Sequence, residues 1–432
     1  MTTSNNIYMV GMGGIGMSAL AQLLVHQGKN VSGSDREESP TTAMLGDRGI
    51  QVTVGHDQCN IPADTGLLIY SDAVNADNTE RVRAREMGIK QISYFEMLGK
   101  ISEPGTTIAV AGTHGKTTTT GMLASILRAA GKEPTAIVGS IVRDFPGRTG
   151  GSNFLAGRSD LYVIEACEYR DHLLELKPEI LVITNIELDH TDFFPSLSAM
   201  QNTFHSAVER VPKHGTIVTD PENSNIAPIL SHISARVVDY TKKAVGELKL
   251  IGEFNRENAR AALAGALAAE PSLSQEAAIH TLSEFKGSWR RFEYKGETPH
   301  GALVYDDYAH HPTAVRKTIE AAREKYPNKR IVVAFHPHLY SRTKSFLAEF
   351  ADALATADDA IIAPIYAARE AHDGSISSDV LAEEIRMRKG NARALQSFEA
   401  IRQALSLEPG NTVIITMGAG DIYKVSEQII VQ

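Results

Sequence analysis

Cysteine is nearly absent. Cys59 and Cys167 are the only two among 432 residues, too few for a disulfide framework and suited to a reducing compartment. Positive charge is in deficit, with 43 Lys and Arg against 52 Asp and Glu and a net charge of −9. That argues against a general nucleic-acid surface, although a phosphate ligand needs only a few local cations. No apolar run reaches the ~18 residues of a membrane span. The opening MTTSNNIYMVG has no basic and apolar leader. The expectation is a soluble cytoplasmic protein that partners neither nucleic acid nor membrane. Hydrophobic residues make up 43% of the chain, enough to give two or three domains a core each.

Short apolar runs alternate with helical stretches throughout. IYMV (7–10), LLIY (67–70), LYVIEA (161–166) and EILVITNI (179–186) read as strands, as do ALVYDDY, RIVVAFHP, DDAIIAP and NTVIITMGAGD further on. Helix-like runs such as GMSALAQLLVHQG and ENARAALAGALAA lie between them. Such alternation predicts α/β folding on parallel sheets. Turn signals at Glu103-Pro104-Gly105 and near GSWRRFEYKGETPHG divide the chain into three consecutive domains, 1–103, 104–291 and 292–432.

Two glycine-rich loops stand about a hundred residues apart. Gly11, Gly13, Gly14, Ile15 and Gly16 form GMGGIG after a strand and before a helix. Glycines there permit a tight turn and bring backbone N–H groups to a phosphate at a helix N-terminus. Asp35 ends the next strand, the usual place for an acid in a dinucleotide fold, yet a diphosphate such as UDP suits the cradle as well as NAD. The second loop, Gly112-Thr113-His114-Gly115-Lys116-Thr117-Thr118, has the tail of a phosphate-binding loop, with Val110 where its first glycine would stand. Lys116 is expected on the β/γ-phosphates of a nucleotide and the Thr117 hydroxyl on Mg²⁺. Glu165, at the end of LYVIE, and His190, after NIELD, are candidate metal ligands, with Glu187 and Asp189 as competitors.

The last third clusters polar residues at strand ends. Arg290 and Arg291 sit side by side, and one of them can reach ATP phosphates. Asp306, Asp307, His310 and His311 follow one strand, and His336, His338 and Arg342 follow the next. The histidines lack the spacing of a zinc site. Arg342 can clamp a small carboxylate.

Taken in order, GTHGKTTTT, NIELDH, GEFNRENA, RRFE, DDYAHHP and HPHLYSRT resemble the Mur ligases of peptidoglycan synthesis, over essentially the whole chain. GMGGIGMSAL, HLYSRT and IYAARE narrow the resemblance to the member that joins L-alanine to UDP-N-acetylmuramate. It implies a Rossmann-like first domain for the UDP-sugar, with Gly11–Gly16, Asp35 and Ser71 as contacts. It implies a central P-loop domain for ATP and Mg²⁺, two ions in all, held by Thr117, Glu165 and His190. A Rossmann-like last domain would take the amino acid through His310, His338 and Arg342. Asn255 and Asn258 match positions near adenine, and Arg291 and Asp307 match positions at the ATP site. The implied partners are UDP-N-acetylmuramate, L-alanine and ATP, with the protein a monomer or homodimer. This chain departs from the family at Phe254, where many members have histidine, and at Leu339, where some have arginine. Cys167 replaces an acid. The neighbouring Tyr169 resembles relatives that attach a recycled tripeptide, the nearest rival activity. An NAD-dependent oxidoreductase, built on the first loop alone, leaves Lys116, Glu165 and His190 without a role. A nucleotide-gated binding protein would bind ATP without releasing phosphate.

Overall fold

The structure, a computed structural model, describes residues 5–147, 150–368 and 370–431. Arg369 of the IYAARE motif lies outside the described residues. The chain divides into two compact units. One comprises Met1–Ile186, Gln201–Glu247 and Asn258–Lys286; the other comprises Glu187–Met200, Leu248–Glu257 and Gly287–Gln432.

The first unit opens with β1 (Asn6–Val10), α1 (Ile15–His26), β2 (Asn30–Asp35), α2 (Pro40–Asp47), β3 (Gln51–Val54), β4 (Leu67–Tyr70), α3 (Thr79–Glu86), β5 (Lys90–Ser93) and α4 (Tyr94–Ser102). The strands form a five-stranded sheet in the order β3-β2-β1-β4-β5. Every pairing is parallel, as with Ile7 between Val31 and Leu67. The strand order reverses at β1, so the glycine loop after it opens at the carboxyl edge where such sheets take ligands. A second sheet follows, built from β6 (Thr106–Ala111), α5 (Lys116–Ala129), β7 (Thr135–Val142), β8 (Ser152–Leu155), β9 (Leu161–Glu165) and β10 (Ile180–Ile183). After α6 (Leu197–Glu209) come β11 (Thr216–Thr219) and β12 (Arg236–Asp239). Its order is β12-β11-β10-β6-β9-β7-β8, with β6 in the middle.

The two sheets share a polar seam. Ser18 and Gln22 lie on the buried side of α1. From β8, Asn153 Nδ2 donates to the Ile15 carbonyl at 2.6 Å and to Ser18 Oγ at 2.9 Å, while Gln22 Nε2 donates to Asn153 Oδ1 at 3.0 Å. Asn153 is fully buried, so each of these groups needs the others. The helix that begins at the first glycine loop is thereby fastened to the second sheet.

After α7 (Glu253–Ala269) and α8 (Gln275–Glu284), the second unit builds its sheet from β13 (Glu293–Glu297), β14 (Leu303–Asp307), α9 (Pro312–Lys325), β15 (Arg330–Phe335), α10 (Tyr340–Ser345), α11 (Leu347–Leu354), β16 (Asp359–Ile362), α12 (Ser378–Met387), β17 (Ala392–Ala394), α13 (Phe398–Ser406), β18 (Thr412–Met417) and α14 (Tyr423–Ile429). The order is β13-β14-β18-β15-β16-β17. Along β15, Ile331, Val333 and Phe335 join one core with Val315 and Phe350, while Val332 and Ala334 join another with Ile361 and Ile414. That alternation covers both faces of the sheet with helices.

The parallel sheets carry antiparallel edges: β7 pairs β8, and β13 pairs β14, in antiparallel fashion. Both antiparallel partners are short edge strands, so neither needs a crossover helix. The strand read over 179–186 stops at Ile183, because Thr184 and Asn185 turn to brace a neighbouring loop. Among the described residues no helix is long and apolar enough to cross a membrane.

Candidate active site

The first loop is assembled by backbone contacts that only glycine admits. Gly11 has φ +80°, and a Cβ on it would lie 2.9 Å from the Cβ of Ser71. Its N–H and that of Met12 donate to the Ser34 carbonyl at 2.9 and 3.0 Å. Gly14 caps α1 with no side-chain bond, which leaves the first-turn amides of Ile15 and Gly16 to an anion. Asp35 braces the loop from within, since its Oδ2 accepts from the Gly13 N–H at 2.7 Å. Gly11, Gly13, Gly14, Ile15, Gly16, Asp35 and Ser71 thus gather at one edge.

The second loop is held by the residues that end β10. Asn185 accepts from the His114 N–H through Oδ1 (2.9 Å) and from the Thr113 N–H through its carbonyl (3.0 Å). Asn185 Nδ2 and Thr184 Oγ1 both donate to the His114 carbonyl, at 3.0 and 2.6 Å. A Cβ on Gly115, φ +83°, would collide with the side-chain oxygen of Asn258. Asn258 is itself buried and accepts from Thr119 Oγ1 at 3.4 Å. Lys116 starts α5, and Thr118 is buried in its first turn. Thr117 Oγ1 donates to Glu165 Oε1 at 2.8 Å, and Gly139 N donates to Oε2 at 2.5 Å. A hydroxyl beside a carboxylate is a hard-oxygen donor set that fits Mg²⁺.

Lys116 already has a partner. Its Nζ donates to both carboxylate oxygens of Glu168 at 3.0 Å and to the Gly112 carbonyl at 2.5 Å. Burial works against the ammonium charge, but Glu168 and its acidic neighbours, Glu165 among them, together outweigh it and the lysine pKa is raised. Burial, reinforced by the charge of Glu168, pushes the Cys167 thiol up to about 12, which favours its neutral form.

In the second unit the expected residues are engaged with one another. Arg342 is 3% exposed. Its Nε and Nη2 donate to Asp189 Oδ1 at 2.9 and 2.7 Å, and its Nη1 donates to His338 Nδ1 at 3.0 Å. The fork expected to clamp a substrate carboxylate therefore holds a protein carboxylate, because Asp189 is also buried and needs a cation. Burial would raise the pKa of Asp189, but Arg342 and the nearby histidines hold it well below the usual range. The same Oδ1 accepts from the N–H of His190 at 2.7 Å, and His190 sits at φ +51°, a left-handed conformation that a non-glycine residue keeps only when held.

Tautomers follow from these partners. A guanidinium only donates, so His338 Nδ1 is an acceptor. His310 Nδ1 lies 2.9 Å from the Tyr308 carbonyl, which only accepts, so Nδ1 carries the proton and Nε2 the lone pair. The two rings are 6.2 Å apart. Burial, then the Arg342 charge, holds His310 well below its ordinary pKa. His311 is spent on structure, with Nε2 on the Leu188 carbonyl and Nδ1 on the first turn of α9.

The paired arginines have separate surroundings. Arg290 is buried, bonded to Asp306 Oδ2 at 2.8 Å and to the Gly418 and Gly420 carbonyls at 2.5 and 2.9 Å. Arg291 is half-buried, with its guanidinium 5.0 Å from the Tyr308 ring centre. Beside it Asp307 accepts from Ala309 N and Thr318 Oγ1. Burial, only partly offset by Arg291, raises Asp307 to about 6. Asn255 Nδ2 donates to the Ile251 carbonyl at 2.8 Å. Glu165 belongs to the first unit and His190 to the second.

Sequence reasoning did not find Glu168 as the lysine's partner, nor Thr184 and Asn185 as the braces of the phosphate loop. The TN pair lies in VITNIELDH, directly after an apolar run whose pattern continues the strand past Ile183.

Residues 6–105 match the Mur ligase family catalytic domain, residues 110–247 the Mur ligase middle domain, and residues 290–420 the Mur ligase glutamate ligase domain. The UDP-N-acetylmuramate–L-alanine ligase of Agathobacter rectalis is 37% identical over 98% of this chain and 97% of its own length. That of Desulfitobacterium hafniense is 38% identical over 98% of this chain and 99% of its own length. Among solved structures, the UDP-N-acetylmuramate-alanine ligase of Thermotoga maritima superposes with a TM-score of 0.81 at 28% identity, covering 98% of each chain. A murein peptide ligase of Psychrobacter arcticus shares the fold, with a TM-score of 0.72 at 23% identity over 99% of this chain and 100% of its own.

Proposed function

This chain belongs to the Mur ligase family, and from that premise we propose that it joins L-alanine to the carboxylate of UDP-N-acetylmuramate, at the cost of ATP, in peptidoglycan precursor synthesis. The observation that carries this reading is the presence of two phosphate cradles in one compact unit, in a chain that matches L-alanine ligases from end to end.

The division of labour follows the three domains, 1–103 for the UDP-sugar, 104–291 for ATP and 292–432 for the amino acid. The Gly11–Gly16 amides take the diphosphate. Lys116 exchanges Glu168 for phosphate oxygens, and because both partners are anions the lysine stays charged throughout. Thr117, Glu165 and His190 would hold Mg²⁺, two ions in this reading, and the metal would supply neutralising charge between the substrate carboxylate and ATP. Asn255 and Asn258 serve the adenine side, and Arg291 and Asp307 the phosphates.

A carboxylate is a poor acyl donor because oxide is a poor leaving group. Its oxygen attacks the γ-phosphorus, ADP leaves, and an acyl phosphate results. The L-alanine nitrogen then attacks the carbonyl carbon, phosphate leaves with the bonding pair, and the amine gives up a proton. His310 suits the amine, for its Nε2 lone pair accepts from N–H while its low pKa keeps it from competing for charge. Arg342 acts on this pocket indirectly, by fixing the His338 ring and by holding Asp189 against the backbone of His190. We place the enzyme in the cytoplasm as a monomer or homodimer.

Phosphate release with UDP-N-acetylmuramate, ATP and a panel of amino acids tests the reading. Release with L-alanine supports it. Release with the murein tripeptide alone would transfer the assignment to the recycling ligases, the reading that Tyr169 favours.

A further inference from the structure

Between the two cradles of the first unit stands a side chain that neither loop accounts for. Tyr94 is the first residue of α4, set there by a capping box between Ser93 and Glu96. It is 9% exposed. Its ring packs edge-on to Phe95, with centres 4.7 Å apart, and Phe95 lies flat on His172 at 3.8 Å, so the ring has little freedom. The phenol tip ends at Gly16. A Cβ on Gly16 would stand 2.8 Å from both Cζ and Oη of Tyr94, so any larger residue in the loop would displace the tyrosine.

Among the described residues no hydrogen bond to Tyr94 Oη is found. The nearby acid does not supply one: Glu165 spends one oxygen on Thr117 Oγ1 and the other on Gly139 N. Burial, then the charge of Glu165, pushes the phenol's pKa upward, so the group keeps its proton and can donate. The ring is buried but the hydroxyl is not sealed off, so its open valence is left for water or a ligand to complete. Its setting names the ligand's chemistry. On one side are the first-turn amides of α1, which take phosphate; on the other is Glu165, where the substrate carboxylate must arrive.

We propose that Tyr94 is a substrate-positioning residue whose Oη donates a hydrogen bond to an anionic oxygen of the UDP-sugar, where that substrate passes from the Gly11–Gly16 loop toward Glu165. The proposal rests on the function proposed above for the choice of ligand. Tyr94 is fixed by α4, so the contact holds the substrate at one point on its path between the two loops and adds affinity there.

The test is Tyr94→Phe, which keeps the ring and its packing and removes only the hydroxyl. The KM and the calorimetric Kd for UDP-N-acetylmuramate should rise about tenfold, the loss of one hydrogen bond to a charged group. The KM values for ATP and L-alanine, and the melting temperature, should stay unchanged. Titration with UDP alone locates the contact. Equal weakening places Oη on the diphosphate, and weakening for UDP-N-acetylmuramate only places it on the lactyl carboxylate. A Kd for UDP-N-acetylmuramate within twofold of the parent overturns the proposal, as does a parallel rise of all three KM values with a lower melting temperature. Failure of the parent enzyme to use L-alanine would count against the function alone, because the binding arm needs no turnover.

Discussion

Lys116 and Arg342 invite comparison, because each was expected to hold a substrate anion and each holds a protein carboxylate instead. The lysine side chain is 17% exposed and its partner Glu168 is 1% exposed. The arginine is 3% exposed and its partner Asp189 is 5% exposed. Lys116 meets its carboxylate as a point charge on a flexible stem, a contact that phosphate oxygens can replace. Arg342 uses its planar fork, and every nitrogen of the fork is engaged. On the function proposed above, the first pair opens when ATP arrives, while the second stays closed as the framework that fixes His338.

The sharpest way to break this comparison is to remove each cation. Lys116→Ala should lower kcat/KM by about 10³-fold or more, since a charge positioned for the transition state is lost. The Kd for the UDP-sugar should be nearly unchanged, while stability falls because Glu168 is left buried without its cation; phosphate release, calorimetry and denaturant melts check the three parts. Arg342→Ala should likewise destabilise the fold, by about 3–5 kcal/mol, because Asp189 is left buried without a counter-charge. The distinction lies in ATP: saturating nucleotide should protect the parent against melting far more than it protects Lys116→Ala, and equal protection of the two would erase it. Arg342→Lys, which cannot reproduce the fork, should raise the KM for L-alanine more than the KM for ATP; if all the KM values move together, the arginine serves only the fold.

Glu165→Gln sharpens the first half of the comparison. It should raise the Mg²⁺ concentration for half-maximal rate by about 10–100-fold, the range that even outer partners of a metal site command. A Mg²⁺ titration that superposes on the parent's would remove Glu165 from the metal site.

Acid probes the second half. Burial lowers His336 to about 4, and its Nδ1 has no partner among the described residues. The unfolded chain takes up that proton first, so stability is lost as pH falls from ~6.5 through about 4, by about 2 kcal/mol at pH 5. His336→Gln should flatten that part of the stability–pH curve. Asp307 acts with the opposite sign. With its folded value raised to about 6, it favours the folded state at low pH, and that contribution fades as pH rises from ~3.9 through about 6. Melting curves of His336→Gln and Asp307→Asn at pH 5 and 7.5 separate the effects. The smallest expected effect belongs to Glu168→Gln, about 1 kcal/mol in stability, with the KM for ATP reduced or unchanged because the lysine has one competitor fewer.

The glycine loops were legible because each demands a residue type that nothing else can replace. Gly11 and Gly115 take φ +80° and +83°, and the strands around them are unbroken apolar runs. The edge strand β13 was not legible, since EYKGE carries no apolar alternation and pairs only because β14 offers an open edge. Nor could the use of Arg342 be read, for Asp189 stands 153 residues away. A guanidinium looks the same in sequence whether its carboxylate belongs to a substrate or to the chain. Arg290 illustrates the point again, buried on Asp306 while its neighbour Arg291 is left half-open.

The Asn153 seam has one more consequence. Because α1 is tied to β8 through three hydrogen bonds on a fully buried amide, the interval between the two glycine loops is set by the fold and not by the ligand. On the function proposed above, a sugar nucleotide seated at Gly13 would carry its carboxylate toward Glu165 across a span that the chain, and not the ligand, sets, as a gauge sets the length of a rod.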